Sequence, residues 1–244
     1  VNGLRTALSY FTILPVGAAD APDAAALAWL PLVGALVGGI AGAVAFGVAQ
    51  FAPHAIVVAT AFAALLILTG AIHADGFLDG CDAFFATVSV ERRFDILKDP
   101  RHGTYAVAGG AVLGVMLLAA LASLNPARLP LELALAGASA RFGAVLPAFW
   151  IPYGRGGASA RAFEGRPALV PLVLGAIVIA ALALPLGLAG LAAVVAALVC
   201  ADVCALLIAP RLGGTLVGDA YGFAICVAET GALVTVACSG TIGR

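Results

Sequence analysis

Leu27-Ala-Trp-Leu-Pro-Leu-Val-Gly-Ala-Leu-Val-Gly-Gly-Ile-Ala-Gly-Ala-Val-Ala-Phe-Gly-Val-Ala-Gln50 carries not one charged side chain. Wound as a helix, it is roughly 36 Å long, enough to cross a hydrocarbon core of about 30 Å. Six further apolar segments follow, at Ala55–Ile72, Tyr105–Leu124, Leu131–Trp150, Ala168–Leu184, Leu186–Ala209 and Gly222–Gly240. The predicted fold is therefore all-α, a polytopic membrane bundle of about seven transmembrane helices forming one domain over residues 1–244. Composition agrees, with 63% hydrophobic and 10% charged residues and a mean hydropathy of +1.13. A water-soluble domain of this length needs a far more polar surface. Between the fifth and sixth segments stand only Pro185 and Gly187, which fit either a tight hairpin or one broken helix.

Basic residues set the expected orientation, because short cytoplasmic loops collect them. Arg92, Arg93, Lys98 and Arg101 follow the second segment, Arg155, Arg161 and Arg166 the fourth, and Arg211 the sixth. The opposite connections carry only Arg128. The N-terminus is expected inside a cytoplasmic (inner) cell membrane, with every polar loop on the cytoplasmic face. Residues 1–24 hold a short apolar run after Arg5 and a small-residue Gly17-Ala-Ala stretch. They are read as an interfacial helix with Leu4, Leu8 and Phe11 toward the lipid, in preference to a cleaved secretory leader.

Five cysteines without repeated spacing offer neither a disulfide framework nor a zinc pattern. Gly34, Gly38 and Gly42 recur every fourth residue, as do Gly110 and Gly114, and such ridges let helices approach closely. That approach fits packing within the chain or a homo-oligomer. No nucleic-acid partner is expected of a lipid-embedded chain with a formal charge of −1.

Polar residues concentrate in one cassette, His73-Ala-Asp-Gly-Phe-Leu-Asp-Gly-Cys-Asp82 followed by Glu91-Arg-Arg-Phe-Asp-Ile-Leu-Lys-Asp-Pro-Arg-His-Gly103, across residues 73–103. On a helix, Asp75, Asp79 and Asp82 stand at i, i+4 and i+7 and share a face. Three unpaired carboxylates at mid-bilayer are costly, so the cassette belongs in a wet cavity at the cytoplasmic edge. Magnesium, or manganese, bridges such carboxylates to substrate phosphates. Arg92, Arg93, Lys98 and Arg101 supply charge for the remaining phosphate oxygens. The combination suits metal-assisted phosphoryl transfer. A solvated loop whose charges only enforce topology is the plainer reading.

His73-x-Asp75-Gly76-x-x-Asp79-x-x-Asp82, Glu91-Arg92-Arg93 and Lys98-Asp99-x-Arg101-x-Gly103 together resemble the cobalamin synthase family, the adenosylcobinamide-GDP ribazoletransferases. The likeness extends to Phe11-Thr12-x-Leu14-Pro15, Pro31-Leu-Val-Gly34, Ser139-x-Arg141 and Gly218-Asp219-x-x-Gly222. It implies that the 3′-hydroxyl of α-ribazole, or of its 5′-phosphate, attacks adenosylcobinamide-GDP with Mg²⁺, giving adenosylcobalamin or its phosphate and GMP. By the same resemblance Asp75, Asp79 and Asp82 hold the metal, with Asp82 also a candidate proton acceptor. His73 orients a carboxylate or binds phosphate. Lys98 and Arg101 grip the diphosphate, and Arg141 and Asp219 stand close by. Glu229, an acid inside the last span, is expected to belong to the site or to an internal pair.

Two other readings compete. A CDP-alcohol phosphotransferase also carries aspartates and metals on helices, but its Asp-Gly-x-x-Ala-Arg signature is missing. An ion-coupled transporter would spread its acids near mid-membrane instead of beside one loop.

Overall fold

The computed structural model describes residues 2–17, 24–154 and 166–242. Arg155 and Arg161 of the expected second basic loop, with Ala18 and Ala19 of the Gly17-Ala-Ala stretch, lie outside them. Eleven α-helices follow one another among the described residues: α1 (Asn2–Phe11), α2 (Ala24–Leu27), α3 (Leu30–Val48), α4 (His54–Leu68), α5 (Ile72–Phe85), α6 (Val90–Ile96), α7 (Thr104–Ser123), α8 (Leu129–Val145), α9 (Leu169–Ala183), α10 (Gly187–Ile208) and α11 (Gly218–Ile242). No strand occurs among these residues. The protein is an all-α polytopic membrane bundle.

The centre is α8, where almost every residue from Leu129 to Val145 is buried. A helix that is apolar all round belongs inside a bundle, and α8 is covered by α3, α9, α10 and α11. Its contact with α3 is backbone to backbone. β-Carbons at Gly34, Gly38 and Gly42 would collide with the carbonyl oxygens of Gly137, Leu133 and Leu129 in turn. The first glycine ridge is thus used within the chain. By contrast α7 lies at the periphery and buries only Ala106, Ala120 and Leu121, leaving an apolar surface of the kind that faces lipid.

Among the described residues, five helical stretches are long and apolar enough to cross a membrane, or six if one bent pair counts as a span. The seven expected segments differ from this in two places. The segment expected at Ala55–Ile72 stops as a helix at Leu68, where Gly70 and Ala71 adopt left-handed φ values of +57° and +59°. The chain then turns through 87° into α5. Ile13 braces this corner by donating its N–H to Leu68 O at 2.9 Å.

The fifth and sixth expected segments form a continuous 44-residue stretch, Leu169–Leu212, which folds back on itself. Gly175 of α9 lies beside Phe142, while Ala201 and Leu198 of α10 lie against the adjacent Gly143. Two points 23 residues apart on a straight helix would be separated by roughly 35 Å. The reversal falls at Leu184–Leu186 and Gly187, whose φ is +57°. Hence the hairpin, and not a long broken helix, describes this region.

At the N-terminus, α1 packs onto the bundle, with Ala7 and Phe11 in the core and Leu4 and Leu8 half-buried. Thr12 closes the helix by donating its hydroxyl to Leu8 O at 2.6 Å.

Candidate active site

The sharp corner after α4 lays α5 across the end of the bundle. One face of α5 buries Phe77, Cys81 and Phe84, and Phe77 stacks on Phe223 of α11 with ring centroids 4.8 Å apart. The opposite face carries Asp75, exposed, and Asp79 and Asp82, half-buried. Amphipathicity therefore turns the carboxylates away from the core and toward polar surroundings. Cys81 is a packing residue, its sulfur pressed against Gly109 of α7, and none of the five cysteines is joined in a disulfide.

The third partner of Asp75 and Asp79 comes from the loop before α7. His102 Nδ1 stands 3.4 Å from Asp79 Oδ1, and ligand atoms of Asp75, Asp79 and His102 all lie within 4.8 Å of one another. Two carboxylates and an imidazole at this spacing are able to ligate one divalent cation. Asp82 does something different here. Its Oδ2 accepts from Gly103 N at 2.5 Å and its Oδ1 from Ala106 N at 3.0 Å. It thereby satisfies two orphan donors at the start of α7 and fixes the loop that presents His102.

Asp219 joins this group through glycine packing. A β-carbon at Gly76 would stand 3.0 Å from the Asp219 Cα, and one at Gly222 would stand 3.2 Å from the Gly76 Cα. The helix carrying Asp75 can therefore rest directly on the N-terminal turn of α11. Between them opens a cavity of about 520 Å³ lined by His73, Asp75, Lys98 and Asp219, with the aromatic side chains of Tyr10, Phe11, Phe94, Tyr153 and Tyr221. Phe11 stacks on His73 at 6.0 Å and Tyr153 on Tyr221 at 6.3 Å. Backbone pairing holds Tyr153 in place, Gly154 N donating to Leu216 O at 2.6 Å and Leu216 N to Pro152 O at 3.0 Å. Burial pushes the Tyr153 hydroxyl up to about 12, so it stays protonated and able to donate near neutral pH.

The basic residues divide by position. Lys98 lines the cavity. Arg101 is engaged with Asp99 through bonds of 2.9 and 2.8 Å, and that guanidinium holds the Asp99 carboxyl down at about 2. Arg92 points to solvent near Asp95, 3.8 Å away, while Arg93 donates to Ala86 O at 2.9 Å and closes the C-terminus of α5. Arg141 and Glu229 lie deeper and pair with each other at 3.0 Å, with Arg141 only 2% exposed. The structure thus brings His73, Asp75, Lys98 and Asp219 to one cavity, sets Asp79 beside it, and places Arg141 and Glu229 beneath. His102 and Tyr153 were not among the candidates read from the sequence. The Arg101-His102-Gly103 stretch before an apolar run held the available signal for the first; nothing local marks the second.

An all-helical membrane bundle with an acidic cluster at the rim of an aromatic-lined cavity is the class of protein that these observations define. The chain belongs to the family described as Cobalamin-5-phosphate synthase, whose family model matches residues 3–237. That membership makes it an enzyme of cobalamin synthesis. It is 37% identical over 236 residues to the adenosylcobinamide-GDP ribazoletransferase of Deinococcus radiodurans, covering 93% of this chain and 82% of that one. The protein of the same name from Pseudomonas paraeruginosa is 34% identical, with 97% and 98% covered. That of Desulforamulus reducens is 30% identical, with 91% and 90% covered. No solved structure matches the chain.

Proposed function

We propose that the chain transfers the corrin-bearing phosphoryl group of adenosylcobinamide-GDP to α-ribazole or its 5′-phosphate, giving adenosylcobalamin or its phosphate and GMP. The observation that carries this reading is the meeting of Asp75, Asp79 and His102 beside the cavity that Lys98 and Asp219 line. In the reaction the ribose 3′-oxygen forms a bond to the corrin-side phosphorus. The bond from that phosphorus to the bridging oxygen breaks, and its electron pair leaves with GMP.

Asp75 and Asp79 suit Mg²⁺ as oxygen ligands, and the imidazole of His102 makes the set hospitable to Mn²⁺ as well. When bound, such a cation supplies positive charge against the developing charge on the diphosphate. Lys98 meets a non-bridging oxygen from the other side of the cavity, and Tyr153 offers a neutral O–H donor. Asp219 takes the proton of the attacking hydroxyl. Asp82, with both oxygens engaged, serves by holding His102. Arg92 and Arg101 face Asp95 and Asp99, so Lys98 is the cation on which this reading relies.

The orientation belongs to the same reading: Arg92, Arg93, Lys98, Arg101 and Arg211 lie around this end of the bundle and Arg128 at the other, which favours a cytoplasmic active site in the inner membrane. Glu229, the acid of the last span, is neutralised by Arg141, which counts against a transporter reading. The test is GMP release from adenosylcobinamide-GDP and α-ribazole with Mg²⁺, in membranes carrying the wild-type chain or Asp79→Ala. Activity in the first and its loss in the second are expected. Equal GMP release by both would overturn the assignment of the carboxylates, and none from a folded wild type would overturn the reaction.

A further inference from the structure

The end of the bundle opposite the active site holds another cavity, of about 620 Å³, where the connection from α7 to α8, the tip of the α9–α10 hairpin and the last turns of α11 meet. Leu124, Leu186, Ala189 and Val236 form its apolar wall, and Arg128 and Glu132 are its charged groups. Its other polar side chains are engaged within their own turns. Ser123 donates to Ala119 O at 2.9 Å and Ser239 to Thr235 O at 2.8 Å, while Asn125 Oδ1 accepts from Ala127 N at 3.0 Å. Arg128 and Glu132 are not so engaged. They stand four residues apart at the start of α8, where opposite charges on a helix can meet, yet no ion pair joins them among the described residues. A cation ahead of an acid is the less favourable order for such a pair.

Glu132 is the more telling of the two, being only 4% exposed. Its Oε2 is shut in without a hydrogen-bond partner, which leaves Oε1 as the oxygen that the side chain presents where it lines the cavity. A buried carboxylate without a partner is costly, and a cation brought by a ligand relieves that cost. Arg128, exposed at the mouth, calls for an anion on the same ligand. The helix ends and the hairpin tip that frame the cavity are the parts of a bundle that lie at headgroup level in a bilayer, and Leu184 and Leu188, either side of the tip, are exposed apolar residues of the kind that meet acyl chains. We propose that this cavity binds the headgroup of phosphatidylethanolamine from the leaflet opposite the active site, its phosphate on Arg128 and its ammonium on Glu132. Guanidinium suits the phosphate through paired N–H donors. A primary ammonium has three N–H donors for Glu132, whereas the quaternary nitrogen of a choline headgroup has none. The site is independent of the reaction proposed above.

Native mass spectrometry of the full chain released from nanodiscs tests this. The discs contain equimolar phosphatidylethanolamine, phosphatidylcholine and phosphatidylglycerol with matched acyl chains, and the lipid retained on each chain is counted. The wild type is expected to keep phosphatidylethanolamine about tenfold in preference to either of the others, as charge-assisted hydrogen bonds to Glu132 and Arg128 require together. Glu132→Gln brings its retention down to that of phosphatidylcholine, and Arg128→Gln, at an exposed position, lowers retention by about tenfold and serves if Glu132→Gln does not fold. Equal retention of phosphatidylethanolamine and phosphatidylcholine by the wild type overturns the site, as does a preference that survives in a folded variant. Preference for phosphatidylglycerol overturns it too, since that marks an anion on Arg128 alone. Displacement of the lipid by soluble glycerophosphoethanolamine at equal concentration overturns the membrane source in favour of a free headgroup.

Discussion

Asp82 acts on the site through the backbone it holds. Asp82→Ala removes a charged acceptor from two N–H groups at the start of α7 and is expected to cost about 1–2 kcal/mol of stability, measured by unfolding in mixed micelles, while also raising the metal concentration needed for half-maximal activity. Asp79→Ala, in contrast, should abolish GMP release with little change in unfolding. His102→Ala keeps the cap and should weaken Mn²⁺ binding, read by electron paramagnetic resonance, by about tenfold. Helical spacing did place Asp75, Asp79 and Asp82 on a common stripe. It could not reveal what stands opposite, because periodicity within α5 carries no information about the loop that brings His102. The same gap explains Arg141 and Glu229. Each was visible as a charged residue in an apolar span, but their pairing across 88 positions depends on how α8 meets α11. Arg141→Ala should cost about 3–5 kcal/mol by leaving Glu229 buried and uncompensated, whereas the Arg141→Met and Glu229→Leu double variant should recover much of that stability.

Glycines decide how the elements meet, and Gly38 and Gly114, one from each ridge, differ in kind. Gly38→Ala drives a methyl group into the Leu133 carbonyl and should destabilise the α3–α8 contact by about 1–3 kcal/mol. Gly114→Ala meets no atom and should be neutral or stabilising by up to about 1 kcal/mol, so parallel unfolding curves separate packing from cavity-lining roles. Sequence spacing gave the two ridges the same reading, since a four-residue repeat looks alike whether or not a neighbour fills it. Apolar runs located the long helices well, and Pro185 with Gly187 marked a break without deciding between a hairpin and a broken helix. The corner between α4 and α5 was hidden for a physical reason. Thr69, Gly70 and Ala71 add little polarity, so the hydropathy of the run continues while two left-handed residues redirect the backbone.

Across the whole molecule, the polar ends separate cleanly. Asn125, Arg128, Leu186 and Ser239 gather around one cavity at one end, whereas Lys98, Tyr153 and Asp219 gather at the other. Single cysteines introduced at Arg92 and Arg211 should therefore react with an impermeant thiol reagent from the same side, and one at Asn125 from the opposite side. Reaction of Arg92→Cys and Asn125→Cys from one side would contradict this arrangement. The early end of α4 has a further consequence. Fifteen residues rise only about 22 Å, so beside this helix the acyl chains must shorten or tilt, lowering headgroups and water toward the carboxylate shelf. Turnover in reconstituted vesicles should consequently depend on fatty-acyl chain length, falling as lipids of greater chain length lift the interface away from Asp75.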